Sequence, residues 1–568
     1  MKATRLLLTL SALLFSVAAH AAPITIMIRL SFKPLSLGLL TLACMAAAST
    51  ASAGTLTTWS GTSPINGNWS TGTNWSTPLN TSGTFSLVFS GNLRTTSTNN
   101  LGPDAVKVDS ILFANTGTTS PTSAFTLRQS ATTPALSLLN GATVTTIAVT
   151  SGTLQDSIPH NFAFGGTATF NMGSRHNLTL SGSLSGGATL VKTGSGELLL
   201  TGRNDLAALK IDQGLVHVSN LAIPGITDLT VDIGSSGETG TLRVAGVGSG
   251  TTPVQTNMKF NLNGDANITT SNVGIITFNA ANFNEAVASV TTPVTLSLIG
   301  GAVGFNGTQT INGVIQDNSV SGKVNVTIGT LTSWNVWVFN GGNTYTGSTT
   351  IEANGKLLMN GTISESSTTT SYGYLGGSGT FGGAVIVSSG TLAPGGGSAN
   401  GVIVDTVGVL TMASLSLSGS SHTLMQITGT APGTDYDRIV STGSLGYDSG
   451  VLDLAMSGTS YAVGTMFDLF DAVSVSGTLA SISTAGISSD GWENLTWYAP
   501  GSSGAGLDDY GAGVWQSSLT TVGGESRKLI FSQPTGVLSV VPEPSTLASL
   551  LAGLACGGYS LFRRRRAR

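Results

Sequence analysis

The residues of this chain with the most obvious chemistry are three pairs of closely spaced aspartates. Glycoside hydrolysis uses two facing carboxylates, roughly 5 to 10 Å apart. The pairs are Asp435 and Asp437, Asp468 and Asp471, and Asp508 and Asp509. The first pair precedes an apolar stretch, where aspartate caps turns. The second is three residues apart in a predicted strand, which directs the side chains to opposite faces. The third lies in a glycine-rich loop, so we expect no catalytic residue here.

The histidines and cysteines offer no metal or nucleophile pattern. His160, His176, His217 and His422 are scattered without an HExxH or a regular ligand spacing, and we expect ordinary surface or turn histidines. Cys44 and Cys556 lie near the two ends of the chain. No phosphate-loop or GGxGxD calcium repeat is found. We therefore expect no enzyme activity, cofactor or metal.

Tryptophans raise the alternative of sugar binding, because their rings could stack on a glycan. Trp59, Trp69 and Trp75 lie near the start of the repetitive region, and Trp334 and Trp337 lie further on. Terminal repeats must cover an apolar end, which favours a capping role for the first three. The other two are three residues apart in a strand and would face opposite sides.

Composition indicates a long β protein. Only 9% of the 568 residues are charged, 40% are hydrophobic and 76 are glycine, a balance that argues against a disordered chain. Residues 54–541 contain 14 Lys and Arg against 26 Asp and Glu, a net charge of −12. Without a basic stripe, nucleic acid is not an expected partner.

Residues 1–53 read as a signal region. Two candidate signal peptides follow each other, and the second begins at Met27 with a basic start, an apolar core and a small-residue ending. Translation is expected to start at Met27, or the second site to be the one used. Cleavage would then fall between Ala53 and Gly54.

The last residues, 541–568, form a tail with three parts in fixed order. Pro542, Glu543 and Pro544 precede an uncharged stretch of 18 residues, long enough to cross roughly 30 Å of hydrocarbon as a single helix. Arginines that favour the cytoplasmic side follow it: Arg563, Arg564, Arg565, Arg566 and Arg568. This order resembles the PEP-CTERM sorting signal. The resemblance implies an exosortase-like membrane enzyme as partner, membrane attachment through the helix before processing, and an address at the cell surface or in an exopolysaccharide matrix.

Between these segments the chain repeats short strands separated by Gly and Asn. Residues 187–218 and 334–361 share an apolar strand, Gly-x-Asn, a polar strand and a further glycine. This texture predicts a parallel β-solenoid of about 20–25 residues per coil, with polar ladders at its corners. Stacked antiparallel sandwiches are the alternative.

The repeats "LVKTGSGELLLTGRND" (190–205) and "NTYTGSTTIEANGKL" (343–357) resemble autotransporter-associated β-strand repeats. That resemblance implies an all-β fold, a right-handed parallel β-helix of the passenger type. We expect the solenoid over 54–375 and a β-rich continuation or cap over 376–540. The repeats run into the sorting tail where an autotransporter has its translocating domain, so self-export is not expected.

These patterns together predict an exported, non-enzymatic protein of the cell surface or extracellular matrix, with a structural or adhesive role in an exopolysaccharide-rich envelope or biofilm. A glycan-binding module is the first alternative, with exopolysaccharide as the ligand. A β-helical polysaccharide lyase or hydrolase is the second, because this fold hosts such enzymes too.

Overall fold

The computed structural model describes residues 54–543. Gly54–Arg568 belong to one compact unit and Met1–Ala53 to another. Within residues 54–543 the description leaves out residues 92, 103, 116–123, 132, 150–151, 220–227, 246–253, 272–274, 280–282, 284–289, 301–306, 320, 331–335, 364–366, 400–401, 459–460, 504–506 and 508–509. The described part is all-β, with one 3-10 turn at Gly72–Asn74 and no α-helix. The predicted all-β class is confirmed.

The strands are short and follow each other closely along the chain. The first are β1 (Thr55–Trp59), β2 (Thr84–Phe89), β3 (Thr96–Asn99), β4 (Lys107–Phe113), β5 (Thr126–Gln129), β6 (Leu136–Thr146), β7 (Leu154–Ile158), β8 (Phe162–Phe164), β9 (Ala168–Met172), β10 (His176–Leu180), β11 (Leu184–Thr193), β12 (Glu197–Leu200), β13 (Asn204–Ile211), β14 (Gly214–Val218) and β15 (Thr230–Ile233). The next are β16 (Gly240–Ala245), β17 (Val254–Thr256), β18 (Lys259–Leu262), β19 (Ala266–Ser271), β20 (Ile276–Phe278), β21 (Val294–Ile299), β22 (Thr308–Ile311), β23 (Val324–Ile328), β24 (Val336–Phe339), β25 (Gly342–Asn343), β26 (Thr349–Ile351), β27 (Lys356–Met359), β28 (Thr362–Ile363), β29 (Thr369–Ser371) and β30 (Tyr374–Gly377).

The last third contains two long strands and the C-terminal elements. They are β31 (Thr380–Pro394), β32 (Gly397–Ala399), β33 (Val402–Val404), β34 (Val409–Ile427), β35 (Arg438–Gly446), β36 (Val451–Met456), β37 (Met466–Asp468), β38 (Phe470–Ser476), β39 (Ser481–Ser483), β40 (Trp497–Tyr498), β41 (Val514–Ser517), β42 (Thr520–Val522), β43 (Glu525–Ser532) and β44 (Val537–Pro542).

Almost every pairing before β40 is parallel, and most of the pairs form three stacks. The first stack runs through β1, β2, β4, β6, β8 and β9, β11, β13, β15 and β18. The second runs from β3 through β5, β7, β10, β12 and β14 to β38. The third begins at β17 and continues through β20, β22, β24 and β27 to β39. Such stacking is consistent with the predicted β-solenoid and excludes a set of antiparallel sandwiches for this part of the chain.

Buried and partly exposed side chains alternate along most of the strands, and this alternation determines which face of the strand packs on the core. In β10, Leu178 and Leu180 are buried while Asn177 and Thr179 lie outside. Successive side chains in a strand point to opposite faces. An apolar residue at every second position therefore places one apolar row in the core. Repeated over the coils, the rows merge into one continuous hydrophobic core.

Coil length varies more than the sequence predicted. One coil advances from Leu184 to its partner Asn204, which agrees with the expected length. A much shorter coil leads from Thr369 to Val385, and a much longer one leads from Phe278 to Ile311. The predicted coil length is therefore correct for some coils and wrong for others, because the number of residues between stacked strands varies.

Glycine occupies corners where neighbouring coils come closest. A methyl group added to Gly341 would overlap the carbonyl oxygen of Gly313, and one added to Gly361 would overlap that of Gly341. Gly341 opens the Gly-x-Asn of the second repeat copy. The glycine of that motif is therefore required by close backbone approach.

An exposed asparagine ladder confirms the predicted polar stacking. The side-chain amide of Asn312 donates to Asn279, that of Asn340 to Asn312, and that of Asn360 to Asn340, at 3.2, 2.9 and 3.2 Å. Each asparagine directly follows a strand of the third stack. The ladder ties four successive coils together on the outside.

The N-terminal edge of the first stack is covered by the chain itself. Ser76 donates its backbone N–H to Thr58 O at 2.9 Å, and its hydroxyl accepts from Thr58 N at 2.8 Å. Trp59 and Trp75 form an antiparallel bridge beside these bonds. An uncovered edge would template pairing with another chain, and this segment removes that template.

The three N-terminal tryptophans are buried in this cap. The ring centroid of Trp75 lies 5.0 Å from that of Trp59 and 5.4 Å from that of Trp69, both edge to face. Phe89 lies beneath all three. The predicted capping role is confirmed, and these rings are not available as sugar-stacking surfaces.

The C-terminal end is closed by an antiparallel sheet in the order β37, β44, β43, β41, β40, with β42 paired to β43. Phe531 of this sheet packs against Phe470 and Tyr447 of the last coils, at ring distances of 6.1 and 6.3 Å. A second hairpin, β32 with β33, packs Ile403 over the outer face of β24 and β27. The antiparallel sheet and the hairpin both cover apolar surface of the parallel coils that would otherwise be exposed.

Replacing Trp75 by alanine is expected to lower the free energy of unfolding of the first coils by about 3–5 kcal/mol, because a buried aromatic ring is lost from the cap. Denaturant unfolding combined with amide hydrogen exchange of β1 measures the effect. Leu56→Ala is the control, since Leu56 is 62% exposed and its truncation should change stability by about 0.5 kcal/mol or less. Equal effects of the two changes would contradict the capping role.

Candidate functional site

Asp435 and Asp437 serve the backbone. Asp435 Oδ2 accepts from Thr430 N and Ala431 N at 3.1 and 3.0 Å. Asp437 is buried and accepts from Gly408 N at 2.8 Å and Gln426 N at 2.7 Å. Burial raises the pKa of Asp437 to about 7, against the lowering effect of these two bonds. The expected turn-capping role is confirmed for Asp435, whereas Asp437 binds backbone N–H groups near the two ends of β34.

The prediction for Asp468 and Asp471 is wrong. The two residues lie in different strands, because the chain bends at Leu469 between β37 and β38. Both carboxylates therefore meet the guanidinium of Arg438, with Nη2 distances of 2.6 Å to Asp468 and 2.8 Å to Asp471. A cation therefore lies between the two acids and connects β35 to β37 and β38. The pair Asp508 and Asp509 lies outside the described residues.

His176 and Asp156 form a hydrogen-bonded pair that is fully shielded from solvent. The His176 Nε2 and Asp156 Oδ2 atoms are 2.6 Å apart, and neither side chain has any exposed surface. His176 Nδ1 faces the carbonyl of Ile147 at 2.8 Å, and Asp156 Oδ1 accepts from Phe125 N at 2.7 Å. Both ring nitrogens of His176 therefore face an oxygen atom. Burial closes the pair to any substrate, and it links one coil to the next.

His160 is buried as a neutral ring beneath the tryptophan cap. Nδ1 lies 2.8 Å from the Asn161 carbonyl and therefore donates, while Nε2 lies 2.9 Å from Asn99 Nδ2 and accepts. Trp69 stacks on the imidazole at 6.3 Å. Burial lowers the pKa of His160 to about 4 although the bond to Asn161 opposes the shift. The expectation of a surface or turn histidine is wrong for His160 and His176.

The remaining two histidines also pair with carboxylates of a neighbouring coil. His217 Nδ1 lies 3.2 Å from Glu197 Oε1, which Arg243 approaches at 3.8 Å. The bond to His217, followed by the charge of Arg243, lowers the pKa of Glu197 against the effect of burial. His422 Nδ1 lies 2.7 Å from Asp453 Oδ2, and half of the His422 side chain is exposed. The sequence contained a signal for two of these pairs, because Asp156 and His176 have the same separation along the chain as Glu197 and His217, one coil in each case.

Lys192 is a buried cation that the sequence did not single out. Its Nζ donates to the carbonyls of Thr193, Gly194 and Gln213 at 2.9, 2.6 and 3.1 Å. Burial lowers the pKa of Lys192 to about 7. The amine therefore binds the carbonyl oxygens of two successive turns.

A polar groove offers room for a ligand on the surface of the coils. Its volume is about 790 Å³, and it is lined by β13, β15, the turns after β13, β15 and β18, and residues 290–294 at the start of β21, with no aromatic side chain among the lining residues. The carboxylates already have partners: Asp212 pairs with Lys210 at 3.2 Å, and Asp232 accepts from Asn261 at 2.7 Å. Asp265 accepts from Thr295 N at 2.8 Å. The groove offers hydroxyl, amide and carboxylate groups to a polar ligand.

Trp337 is fully buried beside the apolar core, and its partner in the sugar-binding hypothesis, Trp334, lies outside the described residues. Among the residues that the structure describes, no group of three or more His, Cys, Asp or Glu side chains is placed to hold a metal ion. Within the same residues, no helix has the length and hydropathy for a membrane span.

The predicted processing sites lie at the limits of the described residues. Gly54 precedes β1, and Pro542 is the last residue of β44, where it pairs with Arg527 of β43. Glu543 follows the strand. Residues 1–53, Pro544, the apolar stretch and the five tail arginines lie outside the described residues.

Comparison with known proteins leaves the family open. No family model matches this chain, and no curated protein has a matching sequence. The resemblances to the PEP-CTERM signal and to autotransporter-associated repeats therefore stay predictions from the sequence.

Acidification should weaken the N-terminal region through His160. Its pKa is about 4 in the folded chain and about 6.5 when unfolded. The unfolded chain therefore binds more protons below pH 6.5. The contribution of His160 is fully present above that pH and is lost as pH falls towards 4, by about 3 kcal/mol.

The measurement compares the pH dependence of unfolding between the unchanged chain and His160→Asn, which cannot titrate. The difference in unfolding free energy between the two proteins should shrink as pH falls from 6.5 to 4. His422→Asn is the matched control at an exposed site. A difference that stays constant over this pH range would refute the assignment of His160 as a buried neutral ring.

Proposed function

We propose that this protein is an exported, non-enzymatic component of the cell surface or extracellular matrix, with a structural or adhesive role in an exopolysaccharide-rich envelope. The observation that carries the proposal is the use of its charged groups. His176, His217, His422, Lys192 and Arg438 all bind oxygen atoms in a neighbouring turn or coil. Groups that an enzyme would offer to a substrate hold successive coils together.

The covered ends support the same proposal. The Trp75 segment covers the edge of β1, and the antiparallel sheet packs on the last coils, so neither end offers its apolar core to another copy. A solenoid whose ends are covered can be displayed outside the cell without forming fibres. We propose that its coils wind in the right-handed sense that parallel crossover connections favour.

Export and sorting are the second part of the proposal. The signal region would direct the chain out of the cytoplasm, with cleavage between Ala53 and Gly54. The sorting motif Pro542-Glu543-Pro544 would be presented to an exosortase-like enzyme, while residues 545–562 cross the membrane as a helix and the arginines stay on the cytoplasmic side. The motif begins at the end of β44, so removal of the tail would leave the antiparallel sheet complete.

The test is the mass of the native protein and its terminal peptides, recovered from the extracellular material. We expect an N-terminus at Gly54 and a C-terminus near Pro542, without Arg563–Arg568. A chain that retains Arg568 and is found in the membrane fraction would contradict processing of the tail. A chain found only in the cytoplasm with residues 27–53 attached would overturn the proposal of export.

The groove supports glycan binding as a second candidate function. It is lined mainly by polar groups from four successive coils, and Lys210 is the cation among its lining residues. Lys210→Glu should weaken binding of the organism's own polysaccharide about tenfold, because one charged hydrogen-bond donor is replaced by an acceptor. Lys107→Glu, on a different coil, is the control.

Calorimetry or surface-based binding with the purified polysaccharide measures this effect. Saturable binding that Lys210→Glu alone weakens would establish the glycan-binding module, and absence of saturable binding would leave the structural role. Appearance of reducing ends or unsaturated sugars in the same mixture would instead support the polysaccharide lyase or hydrolase and overturn the non-enzymatic proposal.

A further inference from the structure

Gly54, the residue just after the proposed cleavage point, contacts a carboxylate. Its backbone nitrogen donates to Asp109 Oδ2 at 2.5 Å. The other carboxylate oxygen, Oδ1, accepts from the hydroxyl of Ser86 at 2.7 Å and from that of Ser110 at 3.4 Å. Asp109 is thus oriented by two hydroxyl groups, with one oxygen left for the nitrogen of Gly54.

A bulge in β4 aims Asp109 at this position. Phe85 pairs with Val108 and Ser86 pairs with Ser110, so Asp109 is the extra residue between them. The register between β4 and β6 shifts at the same place, between Val108 and Ser110. Bulges redirect a side chain and end regular pairing, and they recur at functional sites. Here the bulge turns a carboxylate back towards the first residue before β1.

The space around residue 54 accommodates only glycine. A methyl group on Gly54 would lie 2.8 Å from Asp109 Oδ2 and 2.9 Å from the backbone nitrogen of Phe85. Both distances are shorter than van der Waals contact, and the second atom belongs to the backbone of β2. The absence of a side chain therefore allows the nitrogen of residue 54 to reach the carboxylate.

Processing would change the charge of that nitrogen. Hydrolysis of the Ala53–Gly54 peptide bond adds one water, leaving a carboxylate on Ala53 and an amine on Gly54. An α-amino group has an ordinary pKa of about 8 and is mostly protonated at pH 7. A neutral N–H donor facing a carboxylate would thus become an ammonium facing a carboxylate, the stronger type of hydrogen bond.

We propose that Asp109 is the binding site for the α-ammonium group of the processed chain, and that this ion pair fixes the new N-terminus to the second and third strands of the first stack. The proposal rests on the proposed cleavage between Ala53 and Gly54. Along β1, β2, β4 and β6, the only other titratable side chain is that of Lys107. Lys107 is unchanged in all the variants of the test, so it affects each of them equally.

The test measures how fast the α-amine reacts with an acylating reagent. The compact unit Gly54–Arg568 is released from a fusion so that Gly54 is its first residue, and kept in mild detergent. Limited acylation at pH 7 is followed by the mass of the N-terminal peptide. Only the unprotonated amine reacts, and a nearby carboxylate holds the proton. Asp109→Asn should therefore accelerate the reaction about tenfold.

Two further proteins separate the ion pair from general loss of structure. Asp104→Asn, an exposed carboxylate on the loop before β4, should leave the rate unchanged. A chain that begins at Ala53 keeps Asp109 but moves its amine by one residue, and it should react as fast as Asp109→Asn. Unchanged acylation of the lysines, including the buried Lys192, establishes that each variant is folded.

Equal rates for the unchanged protein and Asp109→Asn, with both folded, would overturn the proposal. So would a slow reaction in the chain that begins at Ala53. These results do not depend on how the cell processes the protein, because the N-terminus is made in vitro. A native N-terminus elsewhere than Gly54 would refute the cleavage site while leaving the affinity of Asp109 for an ammonium at residue 54 measurable.

Discussion

The whole structure depends on the short distance between stacked parallel coils, about 4.8 Å along the hydrogen bonds. At that spacing the backbone of one coil lies in the space that a side chain of the next would occupy, which is why Gly341 and Gly361 are glycines. The same spacing brings side chains at equivalent positions within hydrogen-bond reach, as in the ladder of Asn279, Asn312 and Asn340. Side chains that carry polar or charged groups thus meet partners from the adjoining coil.

In a stack of this kind, the backbone groups of each coil pair with the adjoining coils. Only the two ends leave such groups without a partner. The first strand and the last coils would each present an apolar core and unpaired backbone groups. The protein covers the first with a tryptophan cap and the last with an antiparallel sheet, two different solutions that share aromatic packing. The cost of an uncovered end is association with other chains, so the caps matter most for a protein that we propose is displayed outside the cell.

The charged groups of this chain are few, and several of those described here act between coils. A buried pair such as His176 with Asp156 is costly to desolvate and is tolerated because each atom finds an oriented partner. The same reasoning connects the two proposals. Charge placed to hold coils together fits a structural role, and Asp109 extends that use to the first residue of the processed chain.

The amino-acid sequence by itself determined the all-β class, the turn-capping role of Asp435 and the capping tryptophans, because these follow from local features: period-two alternation, an aspartate in front of a strand and aromatic residues at a terminus. The repeats favoured parallel stacking, and the strand pairing decided it against antiparallel sandwiches. Only the tertiary structure decided that His160 and His176 are buried, that Asp468 and Asp471 converge on Arg438, and that Lys192 binds carbonyls of two turns. Those contacts join neighbouring turns and coils, and coil length varies widely, from the short coil that ends at Val385 to the long one that ends at Ile311. A local sequence pattern does not specify the length of a coil. The partner of a charged side chain is therefore decided only when the coils stack.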